Sequence, residues 1–218
     1  MNETATIETI AIADTYLPTR FPKRFRSARM HINFEPGPDR MSVDEFWQFC
    51  ADNDKLRAEL TKEGDVIIMP PTGFESGDIN LEILIQLGTW SKQDKTGIAT
   101  DSNAGFILPS GAVKASDGSW TLKDRVEQFS SEERKKFLRL CPDFIIELRS
   151  QSDIVKELLE KMDEWIENGV RLAWLIDPYR KQVHIYRPDR DPEILDDPKI
   201  VSGEDVLSGF ELDLTEIW

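Results

Sequence analysis

The run CPDFIIELRS, Cys141 to Ser150, most constrains what this chain can fold into. Five of its ten residues are apolar, enough for a short buried strand. In extended backbone Asp143, Ile145, Glu147 and Arg149 point to one side, and Phe144, Ile146 and Leu148 to the other. Two acids and a base along one side of a buried strand are costly unless the charges have partners or work. A helix-patterned segment, Ile154 to Asn168, follows directly, with Asn168-Gly169 as its stop and Ser150 and Ser152 as expected caps at its start. Next comes a second apolar run, Arg171 to Ile176. Strand, helix and strand over 143–177 predict a right-handed crossover between two parallel strands. KQVHIYRP folds back through Asp177–Arg180 as a hairpin, so the fold class is α/β with a mixed sheet flanked by helices.

Upstream, residues 1 to 40 are rich in Pro, Thr and charge without sustained periodicity and read as an N-terminal arm. The domain then spans 41–218, one core being appropriate to this length. Ser42 with Glu45 three residues on has capping-box spacing, and Phe46, Phe49 and Cys50 give the helix an apolar face. LRAEL and DVIIM flank Lys62–Gly64 as a hairpin, and apolar spacing predicts a helix from about Ser76 to Gln93. GIATDSNAGFILPSG reads as two short strands around a turn at Asp101–Asn103, and residues 115–121 as the start of another, weakened by Gly118. SSEERKKFLRL reads as a short helix, and the tail ends in GFELDLTEIW, a last strand or a turn covering an edge.

Composition narrows the function classes. The formal net charge of −14 opposes approach of polyanions unless the cations are concentrated locally. Bases do cluster, at Arg20, Lys23, Arg24, Arg26 and Arg29 and again at Lys123, Arg125, Arg134, Lys135 and Lys136. No run approaches the roughly 20 apolar residues of a membrane helix, and the start lacks the basic and apolar regions of a signal peptide. Cys50 and Cys141 lack ligand-like neighbours and read as reduced, buried thiols of a cytoplasmic protein, although a disulfide between them stays open. His31 and His184 have no Cys or acid at zinc spacing, and there is no GxSxG, Walker or dinucleotide motif. Trp90, Trp165 and Trp174 fall at core-like positions and read as packing.

Asp117 and Glu147, each on or beside an expected strand, have the chemistry to hold one hard cation, because magnesium takes oxygen ligands and keeps several waters. Arg149, beside Glu147, and Lys161, on the following helix, are the cations available to stabilise charge on a phosphoryl group. Each residue also has a plainer reading. Asp117 is a turn acid before Gly118, Lys161 pairs with Glu157 or Glu164 on its own helix, and Arg149 neutralises Asp143 or Glu147. Glu147 departs most from such a reading, because FIIELR calls for burial.

The order ESGDIN, TDSNAGFILPSGAVKASDGSW, KKFLRLCPDFIIELRSQSD, KMDEWIENGVRLAWLIDP and VHIYRP resembles the putative restriction endonuclease domain family of the PD-(D/E)xK nuclease superfamily, over about Met41 to Trp218. The resemblance implies a restriction-endonuclease-like core, a divalent ion (Mg2+ or Mn2+) and hydrolysis of DNA phosphodiester bonds. It puts Asp117 at the motif aspartate, as SD in place of PD, and Glu147 at the second acid. Arg149 stands where the pattern has lysine, and Lys161 resembles the family's helix lysine. Glu59 resembles an acid ahead of the central sheet, with Glu75 as competitor. An arginine stays protonated and cannot serve as general base, so the substitution at Arg149 also allows a catalytically silent copy of the fold that acts as a binding module. Engaging two DNA strands would call for a homodimer.

Overall fold

The computed structural model describes residues 30–32 and 40–218. The basic cluster at Arg20–Arg29 lies outside those residues, as does most of the arm. One piece of the arm is not loop: β1, Met30–Ile32, pairs antiparallel with residues 66–68.

The first unit is a small sheet under one helix. Helix α1, Val43–Asp52, starts at Ser42 with both halves of the capping box made. Strands β2, Arg57–Leu60, and β3, Val66–Met69, form the expected hairpin. Phe46 of α1 packs there with Leu60, Val66, Ile107 and Val113. Helix α2, Phe74–Asp94, then leads to β4, Gly97–Asp101. Strands β5, Phe106–Ile107, and β6, Val113–Lys114, return to the first sheet, whose order is β1-β3-β2-β6-β5. The two strands expected around Asp101–Asn103 therefore exist but belong to different sheets.

The larger sheet begins where the chain leaves β6. Strand β7, Gly118–Leu122, pairs antiparallel with β4 and with β8, Phe144–Leu148. Gly118 opens β7 rather than interrupting it, and a Cβ there would lie 3.0 Å from Leu84 of α2. Helix α3, Lys123–Val126, is a single turn that the sequence patterns do not announce. The helix expected over SSEERKKFLRL is only a 3-10 turn, Glu133–Lys135, whose N-cap is Glu132 without a side-chain cap, although Ser130 and Glu133 hydrogen-bond each other just ahead of it. Leu138 beyond it bridges to Phe106, so pairing with the small sheet takes the backbone that a helix would have used.

Helix α4, Val155–Glu167, links β8 to β9, Leu172–Asp177, and these strands are parallel neighbours as expected. Its N-cap is Ile154, without a side-chain cap; Ser150 and Ser152 bond each other at 3.2 Å, and the Ser150 amide donates to Asp153. Strand β10, Gln182–Tyr186, and strand β11, Glu193–Asp196, complete the order β11-β10-β9-β8-β7-β4. A separate ribbon of β12, Ile200–Ser202, and β13, Glu211–Asp213, covers one face of this sheet rather than its edge.

Both faces of the large sheet are covered, which is why β8 and β9 are buried at every residue. Phe144, Ile146, Leu148 and Trp174 pack toward Ile83 and Leu87 of α2 and Leu207, Phe210 and Leu212 of the tail. Ile145, Ala173 and Leu175 face Leu158, Met162 and Trp165 of α4. Glu147, two residues after Ile145, shares the α4 side. Cys141 is buried and Cys50 only half-buried, and both are free thiols.

Asp143 starts β8 as a structural acid. It accepts from the Leu122 amide at 2.9 Å and pairs with Arg125 at 2.8 Å and Arg171 at 3.7 Å. Its carboxylate is almost wholly buried while both arginines are partly exposed, so most of its value lies in satisfying the amide. Asp143→Ala is expected to cost about 2 kcal/mol, measured as a shift in the urea-unfolding midpoint with an unchanged slope.

Candidate active site

Where the chain crosses from the small sheet to the large one, residues 115–117 bring four charged side chains together. Extending the β7–β8 register by one residue sets Asp117 opposite Glu147, a position from which side chains share a face. The Leu148 amide fixes Asp117 by donating to Oδ2 at 2.9 Å. From the small sheet, β2 contributes Glu59, whose neighbour on β6 is Lys114 by the same register logic. From above, α4 contributes Lys161, on the helix face that also carries Leu158, Met162 and Trp165.

Lys161 is the hub of this group. Its Nζ lies 2.9 Å from Glu147 Oε1 and 3.0 Å from Glu59 Oε1, and it donates to the Ala115 carbonyl at 3.0 Å. Three acceptors match the three N–H bonds of an ammonium. Trp165 Nε1 also donates to Glu147 Oε1, at 2.9 Å. Behind Glu59, Lys114 lies 3.5 Å from Glu59 Oε2 and 2.9 Å from Glu164. Glu59, Glu147, Lys114 and Lys161 are all buried, so the charges are compensated by one another and not by water.

The carboxyls diverge in proton affinity. Burial pushes Glu59 up, but Lys161 and Lys114 together outweigh it and hold Glu59 down at about 2. Burial raises Glu147 to about 7, with Asp117 and Glu59 adding to the rise and Lys161 opposing it. Asp117 is also raised, chiefly by burial, against the pull of Lys161, the Leu148 amide and Arg57. Burial alone would lower Lys161, yet Glu147, Glu59 and Asp117 more than reverse this, and it remains an ammonium. Two carboxyls reluctant to ionise stand beside a cation that does not let go of its proton.

Of the residues singled out in the sequence, four converge here: Asp117, Glu147, Lys161 and Glu59. Arg149 does not join them. Its Nη1 pairs with Asp177 Oδ2 at 2.6 Å and its guanidinium lies 5.5 Å from the Tyr179 ring centre. It therefore neutralises neither Asp143 nor Glu147, because the parallel register sets Asp177 beside it. Lys161 likewise takes no partner from its own helix; Glu164 goes to Lys114. Glu75 is exposed in the first turn of α2. Trp165, expected only to pack, hydrogen-bonds Glu147, and Lys114 has no motif to announce it.

Among the described residues, no group of three or more His, Cys, Asp or Glu side chains is arranged to hold a metal ion. Asp117 and Glu147 are a two-carboxylate set, which suits an ion that keeps several waters rather than one held in an all-protein cage. The described contacts of Glu147 use Oε1 and the hydrogen bond of Asp117 uses Oδ2, so Oε2 and Oδ1 are the oxygens on offer. A divalent cation would also offset the cost of burying both carboxyls in ionised form, the main cause of their raised proton affinity.

Residues 43–215 match the model of the Uma2 family, described as putative restriction endonuclease. The chain belongs to this family. The crystal structure of a putative nuclease belonging to DUF820 from Anabaena variabilis is similar to this Uma2 chain, with a TM-score of 0.65 at 21% identity. The likeness covers 81% of this chain and 97% of that one, and at this identity it speaks for the fold. The restriction-endonuclease-like mixed sheet flanked by helices is therefore the architecture of this Uma2 member. No curated protein matches the chain, and no described helix is long and apolar enough to cross a membrane.

Proposed function

We propose that this Uma2 chain is a metal-dependent endonuclease that hydrolyses DNA phosphodiester bonds. The observation that carries the reading is the placement of the Lys161 ammonium 2.9 Å from Glu147, on the strand opposite Asp117. A lysine missing from the strand is thereby supplied from α4, the crossover helix that directly follows it. Asp117 and Glu147 would hold Mg2+ or Mn2+. When bound, such an ion polarises the phosphodiester and makes its water a better nucleophile at neutral pH.

The chain's own residues have separable tasks. Lys161 keeps a fixed positive charge beside Glu147, where it acts through space on negative charge that builds in the transition state. Glu59 holds that ammonium in place from the second sheet and, backed by Lys114, stays ionised. Trp165 and Lys161 both donate to one oxygen of Glu147 and fix its orientation. Arg149, engaged with Asp177, braces the ends of β8 and β9.

A second reading, a catalytically silent nuclease-fold binding module, draws on Ser116-Asp117 in place of the usual PD and on Arg149 being committed to Asp177. Plasmid nicking separates the two. Wild type is expected to nick supercoiled DNA with Mg2+ or Mn2+ and not with EDTA, while Asp117→Ala loses at least about a hundredfold in rate. Equal cleavage by both proteins would mark a contaminant, and DNA binding without cleavage would favour the silent module.

A further inference from the structure

A polyanion must reach this site on a molecule of net charge −14, so some cation at its mouth has to be available to phosphate. The cations of the site itself are engaged. Lys161 and Lys114 are buried between carboxylates, and Arg149 is held by Asp177.

Arg57 differs. It lies on β2, two residues before Glu59, so the strand's alternation sends both side chains to the same face. The packing agrees: Ala58 and Leu60 join the cluster beneath α1, leaving Arg57 and Glu59 for the opposite side. Glu59 is on Lys161, which sets Arg57 on the same side as the Asp117–Glu147–Lys161 group. Arg57 is half-buried, and its Nη2 donates to the Ser102 carbonyl at 3.4 Å. Among the described residues, no ion pair engages it.

We infer that Arg57 is a substrate-binding residue that contacts a DNA phosphate beside the bond to be cleaved. The assignment rests on the proposal that DNA is the substrate. Anchored to the Ser102 carbonyl through one nitrogen, the guanidinium keeps further N–H donors for phosphate oxygens, and its planar fork suits two of them at once. The anchor limits the motion of a long side chain, so less freedom is lost on binding.

The test measures binding of a fluorescent DNA duplex by anisotropy in Ca2+, together with nicking in Mg2+. It compares wild type, Arg57→Gln and Arg57→Lys. Arg57→Gln removes the charge while keeping an N–H for the Ser102 carbonyl, so folding, checked by thermal melting, is retained. Arg57→Gln is expected to bind about tenfold more weakly, with the slope of log affinity against log salt reduced by about 1. Arg57→Lys recovers part of the loss, and in nicking the effect falls mainly on KM. If wild type binds but does not nick, and Arg57→Gln still weakens binding with the reduced slope, the nuclease reading fails and Arg57 stands as a DNA-phosphate contact. If wild type nicks and Arg57→Gln equals it in affinity, slope and KM, the assignment is overturned and the nuclease reading stands. Absence of duplex binding by wild type also overturns it, as does a lower melting temperature in Arg57→Gln with DNA affinity unchanged, which would make Arg57 a strand-to-loop clamp.

Discussion

Lys161→Met is expected to abolish metal-dependent nicking and to destabilise the folded chain by about 3 kcal/mol at neutral pH. The two effects share one origin. Removing the ammonium leaves Glu59 and Glu147 buried with their 3.0 and 2.9 Å partner gone, and an uncompensated buried charge costs more than the intact pair gains. Glu59 keeps Lys114, and Glu147 can take up a proton, so the loss sits toward the lower end for a buried pair. Methionine fills the lysine stem's volume, which keeps a cavity from contributing. The destabilisation should shrink as pH falls, because protonating the carboxyls removes the stranded charge. Lys161→Arg gives the contrast: it retains charge but must fit a planar fork where three ammonium bonds are made, and it recovers stability better than activity. Denaturant unfolding at several pH values, alongside nicking, measures both. Full nicking by the methionine variant would remove Lys161 from the proposed chemistry.

Glu147→Gln is the second large effect, and its signature is in pH. Glu147 is pushed up from 4.5 to about 7 in the folded chain, first by burial. The folded state then binds the proton more tightly than the unfolded one, so stability falls as pH rises through the window from 4.5 to about 7. The full loss is on the order of a few kcal/mol. Glu59 has the opposite sign. Held at about 2, it contributes stability that is complete above 4.5 and is lost as pH falls toward 2. The metal-free protein should therefore be most stable near pH 5 as far as these groups decide it. Glutamine can still accept from Trp165 and Lys161, so Glu147→Gln should flatten the fall between pH 5 and 8 while eliminating nicking. In the wild type, Mg2+ should stabilise increasingly above pH 7, where the ionised carboxylate is available. Thermal melts with and without Mg2+ over pH 5–9 read this out. A wild-type profile flat across the window would refute the assignment of a strained carboxyl at Glu147.

The same residues show what the sequence makes legible. The alternation in FIIELR placed Glu147 on a buried face, and the crossover length made β8 and β9 parallel neighbours; both are local periodicities backed by chain connectivity. The partners of those charges were harder to read. Asp177 reaches Arg149 because parallel register sets them side by side, and Lys114 reaches Glu59 across an antiparallel pair with a 55-residue sequence separation. Nothing local encodes either contact. Lys161 did carry a signal of its own: it continues the spacing of Leu158, Met162 and Trp165, so a buried lysine was implied by the helix stripe itself. Trp165 belonged to that same stripe, which marks it as buried but not as a donor to a carboxylate. At SSEERKKFLRL the Ser130–Glu133 hydrogen bonds form, yet the serine caps no helix, and pairing of Leu138 with Phe106 takes the backbone that follows.

Glu59 belongs to the small sheet, and Glu147, Asp117 and Lys161 to the large sheet and its helix. The charge balance around Lys161 is consequently a measure of how well the two sheets are seated against each other. Loosening the packing of Phe46 and Leu60, both apolar, is expected to shift the strand that carries Glu59 away from the ammonium. The chemistry would then fail while the larger hydrophobic core remained intact, making the seam, rather than the core, the place where this protein is most easily switched off.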